Sequence, residues 1–312
     1  MSFAALFPGQ GSQSVGMLAE LMDSHPVVAQ TLAEAGDALG IDLAGMVREG
    51  PEELLNRTEN TQPAMLASGV AVWRAFREAG GPLPAAMAGH SLGEFTALVC
   101  AGAMDFADAV RLVAERGRLM QAAVPEGQGA MAAILGLDDD VVRQVCADAA
   151  QGQVVEAVNY NSPGQVVIAG DAEAVERAIE LAGEAGAKRA VRLPVSVPSH
   201  CSLMQPAAEQ LRARLEEVDI RTPEVPVIHN VDVAAHSDPA EIRDLLARQL
   251  HNPVRWVETV QKLAAEGNPL MLELGPGKVL MGLIRRIDRK ITCIPVQDPA
   301  GLEKALEAVK GE

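Results

Sequence analysis

The chain is short of cysteine and of positive charge, and both shortages narrow what it can be. Its 312 residues include four scattered cysteines, Cys100, Cys146, Cys201 and Cys293, with no Cys-x-x-Cys pair. Neither a structural zinc site nor a disulfide framework is implied, and reduced thiols in the cytosol are the expected state. Against 42 Asp and Glu stand 26 Lys and Arg, a formal net charge of −16. A mean field of that sign repels phosphate and excludes a broad binder of nucleic acid or of an anionic membrane. No run of about 18 apolar residues occurs, so no bilayer-spanning segment is expected. The opening Met-Ser-Phe-Ala-Ala-Leu-Phe-Pro-Gly has neither the basic start nor the apolar stretch of a signal peptide. A soluble cytoplasmic protein is the expectation.

What is present is ordinary core material, 48 % apolar and 22 % charged residues. At roughly 150 residues per domain, the length implies two domains or one domain carrying an insert. Short apolar strands alternate with amphipathic helices, the pattern of an α/β protein. Residues 2–7 read as a strand that breaks at Pro8-Gly9. A helix is expected from Asn60-Thr61-Gln62-Pro63 to about Ala79, with the proline early in its first turn. Ala85–Gly89 reads as a short buried strand, with helices over 92–101 and 105–121 after it. Between about 127 and 194 the order is βαββαβ, a ferredoxin-like pattern, with Asn161-Ser162-Pro163-Gly164 as a turn between two strands. Strands near 225–229, 269–274 and 291–296 then resume the larger unit. The expected division is a large domain of residues 1–126 and 195–312 and a small inserted domain of residues 127–194.

Gly89-His90-Ser91-Leu92-Gly93 matches G-x-S-x-G, with a strand before it and a helix after it. A nucleophile elbow needs that setting, because the sharp turn exposes the serine at a helix N-terminus whose free N–H groups favour negative charge. The alternative is a tight βα turn with a capping serine. Serine needs a base. Of six histidines, His25 lies in a polar stretch, and His90 sits inside the elbow facing away from the serine. His229, His236 and His251 carry no catalytic signature. His200, in Val195-Ser196-Val197-Pro198-Ser199-His200-Cys201, follows the serine by more than a hundred residues, an order that suits a hydrolase-like sheet. Its alternative is a satisfied interior histidine. No carboxylate completes a triad. The helix expected from Asp238-Pro239 to about Leu250 ends in free carbonyls, one of which could orient the imidazole; an ordinary helix end is the other reading.

Arg116 is out of place. Its neighbours three and four residues away are Leu112, Val113, Leu119 and Met120, all apolar, whereas Arg111 and Arg118 have acidic and small neighbours. A guanidinium on a core-facing stripe must find an anion. That anion is either a protein carboxylate or the carboxylate of a substrate held bidentately. After the first strand, Phe7-Pro8-Gly9-Gln10-Gly11-Ser12-Gln13 makes a glycine-rich loop without the Lys-Ser/Thr of a P-loop or dinucleotide spacing. Such a loop can donate an oxyanion N–H from Gln10, paired with the N–H of Leu92; otherwise it is merely a tight loop.

These segments, with Thr61-Gln62-Pro63-Ala64, Glu94, Arg116-Gly117, Asn161-Ser162-Pro163-Gly164-Gln165, Pro198-Ser199-His200-Cys201 and Glu273-Leu274-Gly275-Pro276-Gly277, resemble the malonyl-CoA:acyl-carrier-protein transacylases of bacterial fatty-acid synthesis over the whole chain. The resemblance implies a hydrolase-like large domain with a parallel-sheet core and an inserted ferredoxin-like domain. It implies Ser91 as the acylated nucleophile and His200 as its base. Gln249 then orients the histidine through its main-chain carbonyl, Gln10 and Leu92 form the oxyanion hole, Arg116 holds the malonyl carboxylate, and Gln62 lies in the pocket. Malonyl-CoA and acyl carrier protein are the implied partners, without metal or cofactor, and a monomer is the default. A serine esterase or thioesterase would share Ser91 and His200, but an interior cation suits a charged acyl group. A patatin-like lipase would use a Ser–Asp dyad with an Asp-Gly pair, which is absent. A non-catalytic docking module would not need the Ser91, His200 and Arg116 set.

Both implied partners are anionic, so attraction must be local. Lys278, Arg285, Arg286, Arg289 and Lys290 face the single acid Asp288 in one stretch, while Leu280, Leu283, Ile284 and Ile287 fall at helical spacing. Lys188, Arg189 and Arg192 form a second cluster. Each is either a solvated face or a dock for carrier and CoA phosphates.

Overall fold

The structure is a computed structural model that describes residues 2–195 and 197–311. Met1, Ser196 and Glu312 lie outside the described residues, Ser196 within the stretch leading to His200 and the other two at the ends of the expected large domain. The described strands are β1 (Phe3–Phe7), β2 (Ala86–Gly89), β3 (Gly129–Leu135), β4 (Val155–Ser162), β5 (Gln165–Asp171), β6 (Arg189–Arg192), β7 (Val227–Ile228), β8 (Leu270–Leu274) and β9 (Thr292–Val296).

A parallel sheet in the order β7-β2-β1-β8-β9 forms the centre. β1 is buried at every position. Its alternate residues serve opposite layers, as the period of a strand requires. Phe3, Ala5 and Phe7 join the large core with the helices Thr58–Glu78, Gly93–Cys100 and Phe106–Ala123. Ala4 and Leu6 face Trp256, Val260, Leu280 and Ile284 from the helices Trp256–Ala265 and Val279–Ile287. Continuous apolar strands of this kind are those of a sheet covered on both faces.

The second sheet is antiparallel, in the order β4-β5-β3-β6. One face packs on the helices Asp139–Ala150 and Ala172–Glu184 through Ile134, Val166 and Ile168. The other face, through Met131, Val158, Val167 and Ala169, covers Cys201. The small sheet therefore presses on the segment that carries His200.

Two differences from the sequence reading bear on the site. The long helix begins at Thr58, so Pro63 lies in its second turn rather than its first. Asn60 and Thr61 both donate to the Arg57 carbonyl, which closes the first turn before the proline's missing N–H matters. β4 runs on through Asn161 and Ser162, residues the sequence assigned to a turn. Register shifts at Ala157/Asn159 and Tyr160/Ser162 bend the strand, and the Tyr160 and Val254 amides tie it to the segment before the Trp256 helix. That bend carries Asn161 to His90.

Candidate active site

The elbow is built by backbone contacts that only glycine permits. A Cβ on Gly89 would lie 1.8 Å from the Gly93 carbonyl carbon, and one on Gly93 would lie 2.1 Å from the Phe7 oxygen. Ser91 between them has φ 51°, a left-handed conformation that costs a serine energy and is held by its surroundings. The holder is Asn230, whose Oδ1 accepts from the Ser91 N–H at 2.8 Å while its Nδ2 donates to the Gly89 carbonyl at 2.7 Å.

His200 is also left-handed, at φ 69°, and its N–H donates to the Leu250 carbonyl at 2.9 Å. Its Nδ1 lies 2.8 Å from the Gln249 main-chain oxygen, and its Nε2 lies 2.8 Å from Ser91 Oγ. A carbonyl can only accept, so the proton sits on Nδ1 and the lone pair on Nε2 faces the serine hydroxyl. The carbonyl that fixes the tautomer is supplied by the end of the helix Pro239–Gln249, the helix-end arrangement that the sequence left open. Burial pulls the imidazole down to about 3, and the Arg116 guanidinium adds to the fall. A neutral ring poised to take a proton is the result across the physiological range.

Arg116, from the helix Phe106–Ala123, is buried beside the serine. One terminal nitrogen donates to Gln62 Oε1 at 2.8 Å. The other donates to Gln249 Oε1 at 3.0 Å and reaches Ser91 Oγ at 3.4 Å. Its carbon stands 5.4 Å from the Phe95 ring centroid. Burial lowers its pKa to about 10, against which Glu94 acts. None of its hydrogen bonds goes to a carboxylate among the described residues, and its Nε is buried without a partner. The protein-carboxylate alternative is thus not what the structure shows. A desolvated guanidinium with no carboxylate partner, beside a serine hydroxyl, has the chemistry to pair with an anion.

The Gln10 loop meets the elbow closely, since a Cβ on Gly9 would stand 2.5 Å from the His90 oxygen. The main-chain N–H groups of Gln10 and Leu92 have no backbone acceptor among the described residues. The Gln10 side chain turns away to Thr58. Among the docking candidates, Arg286 donates to Gln165 Oε1 at 2.6 Å. Gln165 starts β5 across the hairpin from Ser162, next to Asn161, whose Oδ1 is 2.8 Å from His90 Nε2. Gly282, Arg285, Arg286 and Arg289 line an open cavity of about 460 Å³, while Lys278 and Lys290 are exposed on the same stretch. The second cluster is placed differently. Arg192 is paired with Glu176 at 2.7 Å, Lys188 lays its stem over Gly136, and all three residues belong to or adjoin β6, the sheet edge opposite β4.

Sequence reasoning missed the support beneath the serine. Glu94, His229 and Asn230 are buried together, and Gln249 contributes its side chain as well as its carbonyl. Glu94 did carry a signal of the kind that exposed Arg116, an ionisable residue beside Phe95, Ala97 and Leu98 on an apolar helix.

Residues 5–302 match the acyl transferase domain family. The malonyl CoA-acyl carrier protein transacylase of Salmonella typhimurium is 57 % identical over 304 residues, covering 97 % of this chain and 98 % of that protein. The Bacillus subtilis transacylase of the same name is 47 % identical over 310 residues, covering 99 % and 98 %. The solved structure of the malonyl CoA-acyl carrier protein transacylase of Coxiella burnetii superposes with a TM-score of 0.98 at 50 % identity, covering 98 % of this chain and 97 % of that one. A malonyl-transacylase solved in complex with its type II PKS acyl-carrier protein gives 0.98 at 56 % identity, covering 99 % and 100 %. A serine paired with a carbonyl-oriented histidine, beside a buried unsatisfied arginine, thus sits in an acyltransferase scaffold shared along nearly its full length, and the chain belongs to the malonyl CoA-acyl carrier protein transacylase family.

Proposed function

We propose that the protein transfers malonyl from malonyl-CoA to the phosphopantetheine thiol of acyl carrier protein through a malonyl-serine ester. Ser91 Oγ attacks the thioester carbon as its proton passes to His200 Nε2. The tetrahedral oxyanion rests on the N–H groups of Gln10 and Leu92. Collapse breaks the C–S bond, and the CoA sulfur leaves with the proton from His200. In the second half the carrier thiol gives its proton to His200, attacks the ester, and Ser91 regains its hydrogen. Arg116 holds the malonyl carboxylate throughout, with Gln62 as a pocket partner. These steps call for proton transfer and hydrogen-bond donors alone, so no metal or redox cofactor is assigned a role.

The observation that carries the reading is a buried guanidinium, that of Arg116, whose hydrogen bonds all go to uncharged partners and whose terminal nitrogen reaches Ser91 Oγ at 3.4 Å. It selects an acyl group with an anion of its own, where a general esterase site would be apolar. For the scaffold we adopt the hydrolase-like description of the large domain, residues 1–126 and 195–312, and the ferredoxin-like description of residues 127–194. The element order and the strand order β4-β5-β3-β6 support the latter. Among the described residues no helix is long and apolar enough to cross a membrane. Action in the cytoplasm as a monomer completes the reading. Carrier and CoA phosphates dock on Arg285, Arg286 and Arg289, the cluster joined to the elbow through Gln165 and Asn161; Lys278 and Lys290 extend it, and Lys188, Arg189 and Arg192 make a lesser, separate contribution.

Incubation with radiolabelled malonyl-CoA, with and without acyl carrier protein, tests the reading. Label moving from Ser91 to carrier is expected. Release as free malonate would make the protein a thioesterase, and an unlabelled Ser91 would make it a docking module.

A further inference from the structure

Beneath the nucleophile lies a buried cluster that the acyl-transfer steps leave without a task. Glu94 stands in the first turn of the helix Gly93–Cys100 and is fully buried. Oε1 accepts from His229 Nδ1 at 2.7 Å, and Oε2 accepts from the Asn230 N–H at 2.9 Å and from Gln249 Nε2 at 2.9 Å. Gln249 Nε2 also donates to the Ser91 carbonyl at 3.0 Å, so both hydrogens of that amide are directed. Its Oε1 is thereby turned to Arg116, whose terminal nitrogen donates to it at 3.0 Å.

A carboxylate can only accept, and a guanidinium can only donate. Glu94, together with the Ser91 carbonyl, therefore fixes which end of the Gln249 amide meets Arg116; the flipped amide would set donor against donor. The negative charge of Glu94 also opposes the burial cost of the guanidinium. It does so from one residue away. A carboxylate in direct contact would occupy the donors that a substrate anion needs.

We propose that Glu94 is a positioning residue that, through the Gln249 side chain, aims Arg116 and supplies its countercharge without competing for the acyl carboxylate, and so sets the preference for malonyl over uncharged acyl groups. This rests on Arg116 being the carboxylate clamp. The competing role is mechanical: Glu94 also holds Asn230, which holds Ser91, and a damaged elbow would slow every acyl group alike.

The two roles separate in the ratio of kcat/KM for enzyme loading from malonyl-CoA to that from acetyl-CoA. The full chain is compared as wild type, Glu94→Gln, Gln249→Met, the double variant and Arg116→Ala, with thermal melts as a check on folding. Gln249→Met keeps the main-chain carbonyl on His200 and removes only the amide. Glu94→Gln and Gln249→Met should each lower the ratio by about tenfold, the scale of one charge-assisted hydrogen bond. The double variant should fall by clearly less than the product of the two single effects, because the aiming runs through one shared amide while only the countercharge acts separately. Proportional loss on both substrates in Glu94→Gln, or multiplied effects in the double variant, overturns the proposal. If Glu94→Gln does not fold, an unchanged ratio in Gln249→Met overturns it. Arg116→Ala distinguishes the layers. An unchanged ratio there removes the clamp and this inference together, whereas a collapsed ratio there with an intact one in Glu94→Gln removes only the inference.

Discussion

Arg116 and the arginines of the helix Val279–Ile287 carry one side chain in opposite surroundings. Arg116 is buried, held by Gln62 and Gln249, and lies beside Ser91. Arg285 and Arg286 project from an exposed face and, with Arg289, line a cavity open to solvent. The apolar side of the same helix (Leu280, Leu283 and Ile284) is locked into the core. Interaction between charges grows as water is removed, and screening falls. In the proposed function, one desolvated, oriented guanidinium discriminates between acyl groups. Several hydrated ones are proposed to attract an anionic macromolecule to a chain whose mean charge repels it. On that proposal, a net charge of −16 coexists with two uses of arginine, local chemistry and local steering.

The comparison breaks first at Arg116. Arg116→Ala should cut malonyl transfer by roughly two to three orders of magnitude while relatively favouring acetyl, because a desolvated charge-assisted contact is lost. Steady-state rates on the two thioesters check it, and an unchanged malonyl-to-acetyl ratio would remove the clamp. Asn230→Ala separates the price of burial from that of charge, since Asn230 is buried but neutral. Loss of both its hydrogen bonds strands the Ser91 N–H and the Gly89 carbonyl, which should cost about 2 kcal/mol of stability. Loading should slow by roughly tenfold on malonyl and acetyl equally, as a relaxed elbow would predict. Chemical denaturation and loading rates measure the two parts. A change in substrate preference would mean that Asn230 acts through Arg116.

On the exposed side, reversing Arg285 and Arg286 to Glu should raise the KM for acyl carrier protein by about tenfold at low salt, shrinking as salt is added, with loading from malonyl-CoA affected less. Carrier titrations at two ionic strengths test this. A KM that stays constant would detach the helix from docking, and a salt-independent rise would point to lost packing with Gln165 instead.

How legible each region was follows from the separation of its parts along the chain. The elbow is contiguous, so Gly89, Ser91 and Gly93 announced the turn, in which Ser91 takes φ 51°. Arg116 showed itself because helix neighbours at three and four positions reveal a face. The basic helix was visible for the same reason. Its link to the elbow was not, because the Arg286–Gln165 bond spans 121 positions. The Glu94 contacts to His229, Asn230 and Gln249 span 135, 136 and 155 positions, and no local pattern encodes them. β4 was cut short in the sequence reading because Asn161 to Gly164 has the composition of a turn, while the register shifts that extend the strand depend on pairing partners.

The smallest effect links the buried arginine to the base. His200 and Arg116 both reach Ser91 Oγ, at 2.8 and 3.4 Å, so a positive charge stands close to the imidazole that the proposed mechanism needs neutral. Burial is the main cause of the lowered His200 pKa and Arg116 the next. The acid limb of the loading rate should therefore lie well below pH 6.5 in the wild type. Removing a nearby cation makes protonation easier, so the limb should move to higher pH in Arg116→Ala, by about one unit. Acetyl-CoA is the substrate for this measurement, because a malonyl carboxylate would itself neutralise Arg116 and hide the difference. Coincident limbs in the two variants would show that burial alone sets the base, leaving Arg116 as a clamp with no influence on proton transfer. A downward shift would mean that loss of the arginine closes the site further around His200, and the separation of roles between clamp and base would have to be redrawn.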